Sequence, residues 1–580
     1  MKKLLTMIVA LMPLWATAQT MNVSVDSVGT LAAQLPDSVR FKVAELKVTG
    51  PLNGADLKLL SQIVTRTKTN KKVADEKLVT MIDLSEAGIT EGKAGMKTET
   101  GVLPSGLFSG AKSLQKAILP DATVTIGDNC FDNCESLSEV HIPAGVVNIG
   151  SNAFSDCTSL KAIVLPEALT KIEHDAFEQS AIESIELPKN LVELENNVFT
   201  GCKALTKVVF MGNNVTAIGA ATFMDCESLA EITMPESVTS IGNNAFRNCK
   251  SLETIALSDE LKLIGNSAFE QCSRLATIEL GSVDKIGSNA FEECSALKKI
   301  DVEGLSDLGN GAFQKCSALE SVSLAGSLDE IGNSTFEDCV SLQHVTLPES
   351  VKEIDNDAFH GCRNLAEIEL PTSLKEIGNS TFEGCLNLKQ IFIPGNVKKI
   401  GNSAFEECTG LDSVEIKGFI ETIESETFRH CRSLRSISLP VSVKKIGSKA
   451  FEECASLSDV TLPITLTSIG SDAFAKCAML KAIVIPAAVK EIGSDAFSEC
   501  SSLATVDLPV SLRSIGGGAF EKCVSLREVK LNSPQPPKIV KSVFKDVVLG
   551  ACKFYIPKGC KPMYALDKQW QKMPQVLEMP

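Results

Sequence analysis

Twenty cysteines and five histidines are the side chains with the most chemistry to offer in this 580-residue chain. Cysteine with histidine can hold zinc, exported thiols can pair as disulfides, and a thiolate beside an imidazole is a nucleophile. The spacing argues against each. There is no C-x-x-C, and His141, His174, His344, His360 and His430 do not accompany cysteine at ligand-like spacing. Seventeen cysteines, from Cys134 to Cys523, each stand three residues after a phenylalanine, at one position of a repeat. That constancy predicts small buried hydrophobes with inert thiols, and Cys130 is expected inside with them. Cys552 and Cys560 fall outside the series and form the one candidate disulfide pair. No Ser or Cys sits in a break of the repeat beside a plausible base, and the repeated Ile-Gly marks a turn rather than a phosphate loop. No catalytic residue, metal ligand or cofactor is expected.

The elements that position these residues are copies of one unit. Residues 374–394, LKEIGNSTFEGCLNLKQIFIP, are a near-complete copy of L-x-x-I-G-x-x-A/T-F-x-x-C-x-x-L-x-x-I-x-L-P. Its Phe recurs twenty times between Phe108 and Phe544, and fourteen of the nineteen intervals are 23 residues. A fixed period of that length marks a solenoid, because one unit cannot bury its own apolar face. Ile391 and Ile393 alternate with Gln390 and Phe392, as in a half-buried strand that Pro394 ends. Residues 374–378 cross back, with Gly378 permitting a tight turn. Ser380-Thr381-Phe382-Glu383 fits a capping box, repeated at Ser267/Glu270, Ser334/Glu337 and Ser403/Glu406. A short helical turn there places Phe382 and Cys385 on one face.

The order C-x-x-L-x-x-I-x-L resembles the cysteine-containing leucine-rich repeats. With IG-x-x-A-F before the Cys and L-P after it, the pattern is similar to the BspA-like bacterial repeats, over roughly Val102 to Phe544. The resemblance implies an α/β repeat solenoid: a right-handed leucine-rich-repeat coil with a parallel β-sheet face, short helical turns, and capping regions at both ends. It also implies a secreted or surface setting, as members of that family include adhesins for host matrix proteins.

Residues 1–18 read as a signal peptide, with Lys2 and Lys3, an apolar run and cleavage after Ala18. Residues 19–100 break the period and are expected to be an N-terminal cap. Within them residues 43–48 and 78–84 read as strands, residues 54–64 as an amphipathic helix, and residues 21–40 as a less ordered lead-in. Leu46, Ile82 and Ile118, each 36 apart, are the expected strand positions of longer coils. Residues 101–545 form the array of about 20 repeats, most regular between Phe313 and Phe520. Residues 546–580, with both tyrosines and Trp570, read as a C-terminal cap.

With the core spoken for, function falls to the outward strand positions, one row running from His141 to Lys530. Rungs about 4.8 Å apart make the row roughly 90 Å long. It mixes acids with scattered apolar residues and has one aromatic, Phe392. The acidity of this row disfavours nucleic acid and anionic membrane as its partners. A row of Lys352, Lys375, Lys398, Lys444 and Lys490 on the return segment reads as a solubilising face. The expectation is a non-catalytic, secreted or cell-surface protein, adhesin-like, binding a host matrix or bacterial protein with no membrane span. The expected patch is Glu367, Glu369, Gln390, Phe392 and Glu415. The other readings are a polysaccharide-active β-helix enzyme and a passive surface scaffold.

Overall fold

The computed structural model describes residues 20–66 and 77–580. The expected signal peptide lies outside them. The chain divides into two compact units, one ending at Val215 and the other spanning Thr216–Pro580. Each is a parallel-strand solenoid with little helix.

In the first unit, the strand Thr20–Ser24 pairs in parallel with Glu45–Leu52, which pairs with Met81–Asp83, then Lys116–Ile118, then Glu139–His141. The start of the lead-in expected to be less ordered is thus a strand of the sheet, and short helices at Leu31–Gln34 and Asp37–Arg40 follow it. The register also corrects one strand position. Leu46 stands opposite Ile82, but Ile82 stands opposite Ala117, not Ile118. Ala117 and Leu119 are fully buried, so the alternation turns Ile118 outward.

The expected helix is present as Gly54–Val64. The Asn53 side chain accepts from Ala55 N and Asp56 N, and Asp56 answers Asn53 N in a capping box. Only 2 % exposed, the Asp56 carboxylate also accepts from Gly29 N at 2.6 Å and Leu31 N at 3.1 Å. Three backbone donors on one buried carboxylate tie the preceding loop to the helix start.

The repeated coil is clearest in the second unit. The residues expected in short helices instead form a run of turns. In the 374–394 coil Ser380 and Gly384, two residues either side of Phe382, have φ of 51° and 73°. The same alternation recurs around each phenylalanine from Phe223 to Phe520. A left-handed residue every fourth position stops an α-helix. It also overturns the capping-box reading, since an N-cap needs extended backbone and Ser267, Ser334, Ser380 and Ser403 are all left-handed.

What the alternation provides is bonding between coils. Ser380, Phe382 and Gly384 each donate their N–H to the next coil, at Asn402, Ala404 and Glu406, over 2.8–2.9 Å. The phenylalanines then stack. From Phe223 to Phe544 adjacent ring centroids are 5.1–5.6 Å apart and close to parallel. In the first unit the ladder runs from Phe108 to Phe199, with the Phe108–Phe131 pair tilted by 38° and the pairs after it close to parallel. Gly378 does not have a positive φ. A Cβ there would lie 2.5 Å from the Asp355 carbonyl carbon and 2.6 Å from Asn356 N, so its reason is close approach of the coil before.

The thiols are buried as expected, but they are not merely small hydrophobes. Cys385 Sγ donates to the Phe359 carbonyl one coil back at 3.3 Å, and Cys408 does the same to Phe382 at 3.1 Å. Each such carbonyl also accepts the N–H of its own coil's cysteine, as Cys385 N to Phe382 O at 3.1 Å. A carbonyl oxygen has two lone pairs, and this pairing uses both. Where Ser180 replaces Cys, its hydroxyl meets Cys202 Sγ at 3.3 Å. Burial pushes the thiols far up, Cys272 and Cys523 to about 12. Native protein is therefore expected to resist alkylation at neutral pH, with most thiols labelled only after denaturation, as read by mass. Extensive labelling of the native state would contradict the buried ladder.

Cys552 and Cys560, nominated as a disulfide pair, are both free in the structure, the first buried and the second part-exposed. The extended strand Lys553–Ile556 lies between them. Beyond it, Tyr564 and Trp570 are buried, with Trp570 edge-on to Phe544, Phe554 and Tyr564. Tyr564 Oη donates to Ser533 O and Trp570 Nε1 to Pro537 O, each at 2.8 Å. These aromatics pack inward rather than form an exposed site.

Candidate functional site

The outward strand row is exposed along most of its length, as alternation requires. Within it, the strands Gln390–Ile393 and Ser413–Ile416 pair in parallel, with Gln390 opposite Ser413 and Phe392 opposite Glu415. Ile391, Ile393, Val414 and Ile416 point inward, while Phe392 is 49 % exposed.

One coil earlier the ladder stops. Residues 366–370 keep the alternating burial, with Ile368 and Leu370 inward, but form no strand. The next strand on that side is His344–Thr346, which belongs to a separate sheet. Between them lies an open depression of about 730 Å³. Glu367, Glu369, Gln390, Phe392 and Glu415, the five residues expected to share a surface, all line it. His344, Glu349 and Thr372 line it too, and the repeat pattern did not single them out for this face. Glu349 turns one carboxylate oxygen to Thr372 N and Oγ1, at 3.0 and 2.9 Å, bridging the break.

The break could not be read from spacing, because the period is constant from Phe313 to Phe520. The turn side is as regular as expected there, and the strand side is not. A smaller depression of about 400 Å³ lies at the irregular coils near Gly281, lined by Glu279, Lys299, Asp301 and Glu303.

The depression's chemistry is that of recognition: carboxylates, one imidazole and one aromatic ring on a shallow sheet face. Glu415 pairs with Lys417 at 2.6 Å across exposed surface, worth little in stability. Among the described residues no group of three or more His, Cys, Asp or Glu is placed to hold a metal ion. The remaining histidines stand apart. His174 meets Glu195 at 2.9 Å, and His430 sits 3.6 Å from both Glu407 and Glu453 on the turn side.

The sequence profile of the BspA type leucine rich repeat region matches residues 96–206, 204–320, 306–435 and 421–549. The chain belongs to the BspA-type leucine-rich repeat family. Solved structures similar to this BspA-type chain include a leucine-rich repeat protein from Bacteroides ovatus. It is 24 % identical, with 80 % of this chain and 90 % of that one covered and a TM-score of 0.33. A leucine rich cell surface protein from Faecalibacterium prausnitzii is 25 % identical over 60 % of this chain and 87 % of that one, with a TM-score of 0.33. The leucine-rich repeat protein of T. pallidum is 30 % identical over 31 % and 82 %, at a TM-score of 0.25. No curated protein matches the chain. Membership of the BspA-type family supports a protein-interaction scaffold. Among the described residues, no helix is long and apolar enough to cross a membrane.

Proposed function

We propose that this BspA-type protein is a secreted or cell-surface, non-catalytic adhesin-like protein that binds a protein partner through its strand face. The array of residues 101–545 carries the binding surface in this reading. Residues 19–100 and 546–580 close its ends, and residues 1–18 direct export. The observation behind the site is the depression at the ladder break, where an exposed aromatic ring stands between carboxylates on an otherwise solvated sheet. Exposed aromatics in concave surface are favoured interface anchors.

The test is the double substitution Phe392→Ala with Glu369→Lys. Neither side chain belongs to the inward ladders, so the variant should fold as the parent does. A partner recovered from extracellular matrix or neighbouring bacterial proteins should bind it at least tenfold more weakly. The charge reversal should also change the salt dependence of what binding remains. Equal affinity with verified folding would move the site away from this depression, first to the coils near Gly281 and Gly304. Absence of any specific partner would favour the passive scaffold.

A further inference from the structure

On the side of the coil where the strand turns into the return segment, the chemistry is reversed in sign. The residue after the strand-ending proline is polar or small in earlier coils of the second unit: Glu236, Glu349, Thr372, then Gly395. From there it becomes apolar in consecutive coils, as Val441, Ile464, Ala487 and Val510; one coil before them Gly418 holds this position and the next residue, Phe419, is the exposed one. These side chains are not core. Phe419 is 65 % exposed, Val441 75 %, Ile464 83 % and Val510 58 %.

The local geometry explains the exposure. Val443 N bonds Pro440 O at 3.1 Å, Leu466 N bonds Pro463 O at 3.0 Å and Val489 N bonds Pro486 O at 3.1 Å, each closing a tight turn. Val441, Ile464 and Ala487 are the first central residues of those turns, where a side chain projects from the corner. Coils stacked about 4.8 Å apart make the result a protruding ridge about 20 Å long, not a groove.

The return segment beside the ridge carries exposed Lys398, Lys444, Lys445, Lys490 and Arg513, against Glu421 and Glu491. Lys444 pairs with Glu421 at 2.6 Å. Lys398, Lys445, Lys490 and Arg513 have no ion-pair partner among the described residues. In a chain of net charge −16, this is a local excess of cations next to solvent-facing apolar tips.

We propose that this ridge docks on an anionic lipid bilayer. Apolar tips enter the headgroup boundary, while the flanking Lys and Arg lie along the anionic surface with their aliphatic stems on the apolar side. Charge complementarity selects this occupant over a second copy, because a two-fold contact along the ridge sets one lysine row against another. The ridge is also too narrow for the roughly 800 Å² per partner of a stable dimer. The surface is separate from the strand-face depression, so it leaves that face free for a protein.

The test is cosedimentation of the purified protein with vesicles of phosphatidylcholine alone and of phosphatidylcholine with phosphatidylglycerol. Binding is expected to the anionic vesicles, weak to the neutral ones, and reduced by salt. Val441→Asp with Ile464→Asp should lower binding to the anionic vesicles at least tenfold, and Lys445→Glu with Lys490→Glu should lower it likewise. All four positions are exposed, so circular dichroism and urea midpoints should match the parent. Phe392→Ala with Glu369→Lys should leave vesicle binding unchanged. A parent protein that stays in the supernatant, or ridge variants that sediment as the parent does, would overturn the proposal. So would a change of solution mass on ridge substitution, which would make a second copy the occupant.

Discussion

Raising the pH from 8 to 10 under reducing conditions is expected to unfold this protein steeply. Its ladder thiols are held neutral by burial: Cys134, Cys202, Cys272 and Cys523 are pushed up to about 12, and Cys249, Cys339 and Cys431 are raised well above the usual range. In the unfolded chain a thiol ionises near 8.5. The folded pKa lies above the unfolded one, so stability is fully present below about pH 8. It is lost as the pH climbs from there toward the folded values. In that window each thiol costs about 1.4 kcal/mol of stability per pH unit, since the unfolded state releases a proton that the folded state keeps. The sixteen ladder cysteines raised in this way sum to on the order of 20 kcal/mol per pH unit, beyond the usual stability of a domain. Urea midpoints at pH 7, 9 and 10, with thiolate absorbance followed alongside, check this. A midpoint at pH 10 equal to that at pH 7 would show that the thiols are not protonated and buried as described.

The second large effect is at Phe382. Its ring is fully buried, 5.4 Å from Phe359 on one side and 5.4 Å from Phe405 on the other. Phe382→Ala should destabilise by about 3–5 kcal/mol, because the stack cannot close over the gap without breaking the turn bonds that hold the spacing. The loss should centre on the neighbouring coils, as stability in a solenoid is a sum of unit and nearest-neighbour terms. Denaturant midpoints give the size, and amide exchange across the coils of Phe359, Phe382 and Phe405 gives the place. Phe392→Ala removes the same atoms from an exposed ring and should cost less than about 1 kcal/mol. Similar losses at both positions would mean that the inward and outward rows are misassigned.

The period, the inward Phe, Cys, Leu and Ile rows, and the outward row were legible because burial repeats with the coil. Local backbone was less so. Ser380-Thr381-Phe382-Glu383 carries the letters of a capping box, yet left-handed backbone at Ser380 and Gly384 serves bonds to the next coil. Tertiary pairing decided the conformation, and a pattern drawn from isolated helices could not register it. Ala117 rather than Ile118 is the inward residue because a shift of one residue exchanges the faces of a strand, and this coil holds a small Ala where the repeat has Ile, although Leu119-Pro120 ends the strand as in the other coils. In the candidate site, strand alternation puts Glu369, Phe392 and Glu415 of the outward row on one surface with Glu367 and Gln390 two residues before them, but the break at residues 366–370 that hollows it leaves no mark in a constant 23-residue spacing.

The turn-side bonding has one more consequence. Within the second unit, each coil from Phe246 to Phe497 offers its neighbours the same three forward N–H groups, the same backward thiol and the same ring face. Nothing in that set records a coil's place in the series. A coil duplicated or removed whole would rejoin its neighbours with every donor still meeting an acceptor. Copy number is then a length setting that recombination can change without inventing new contacts. What each change alters is the reach of the molecule and which surface residues stand side by side.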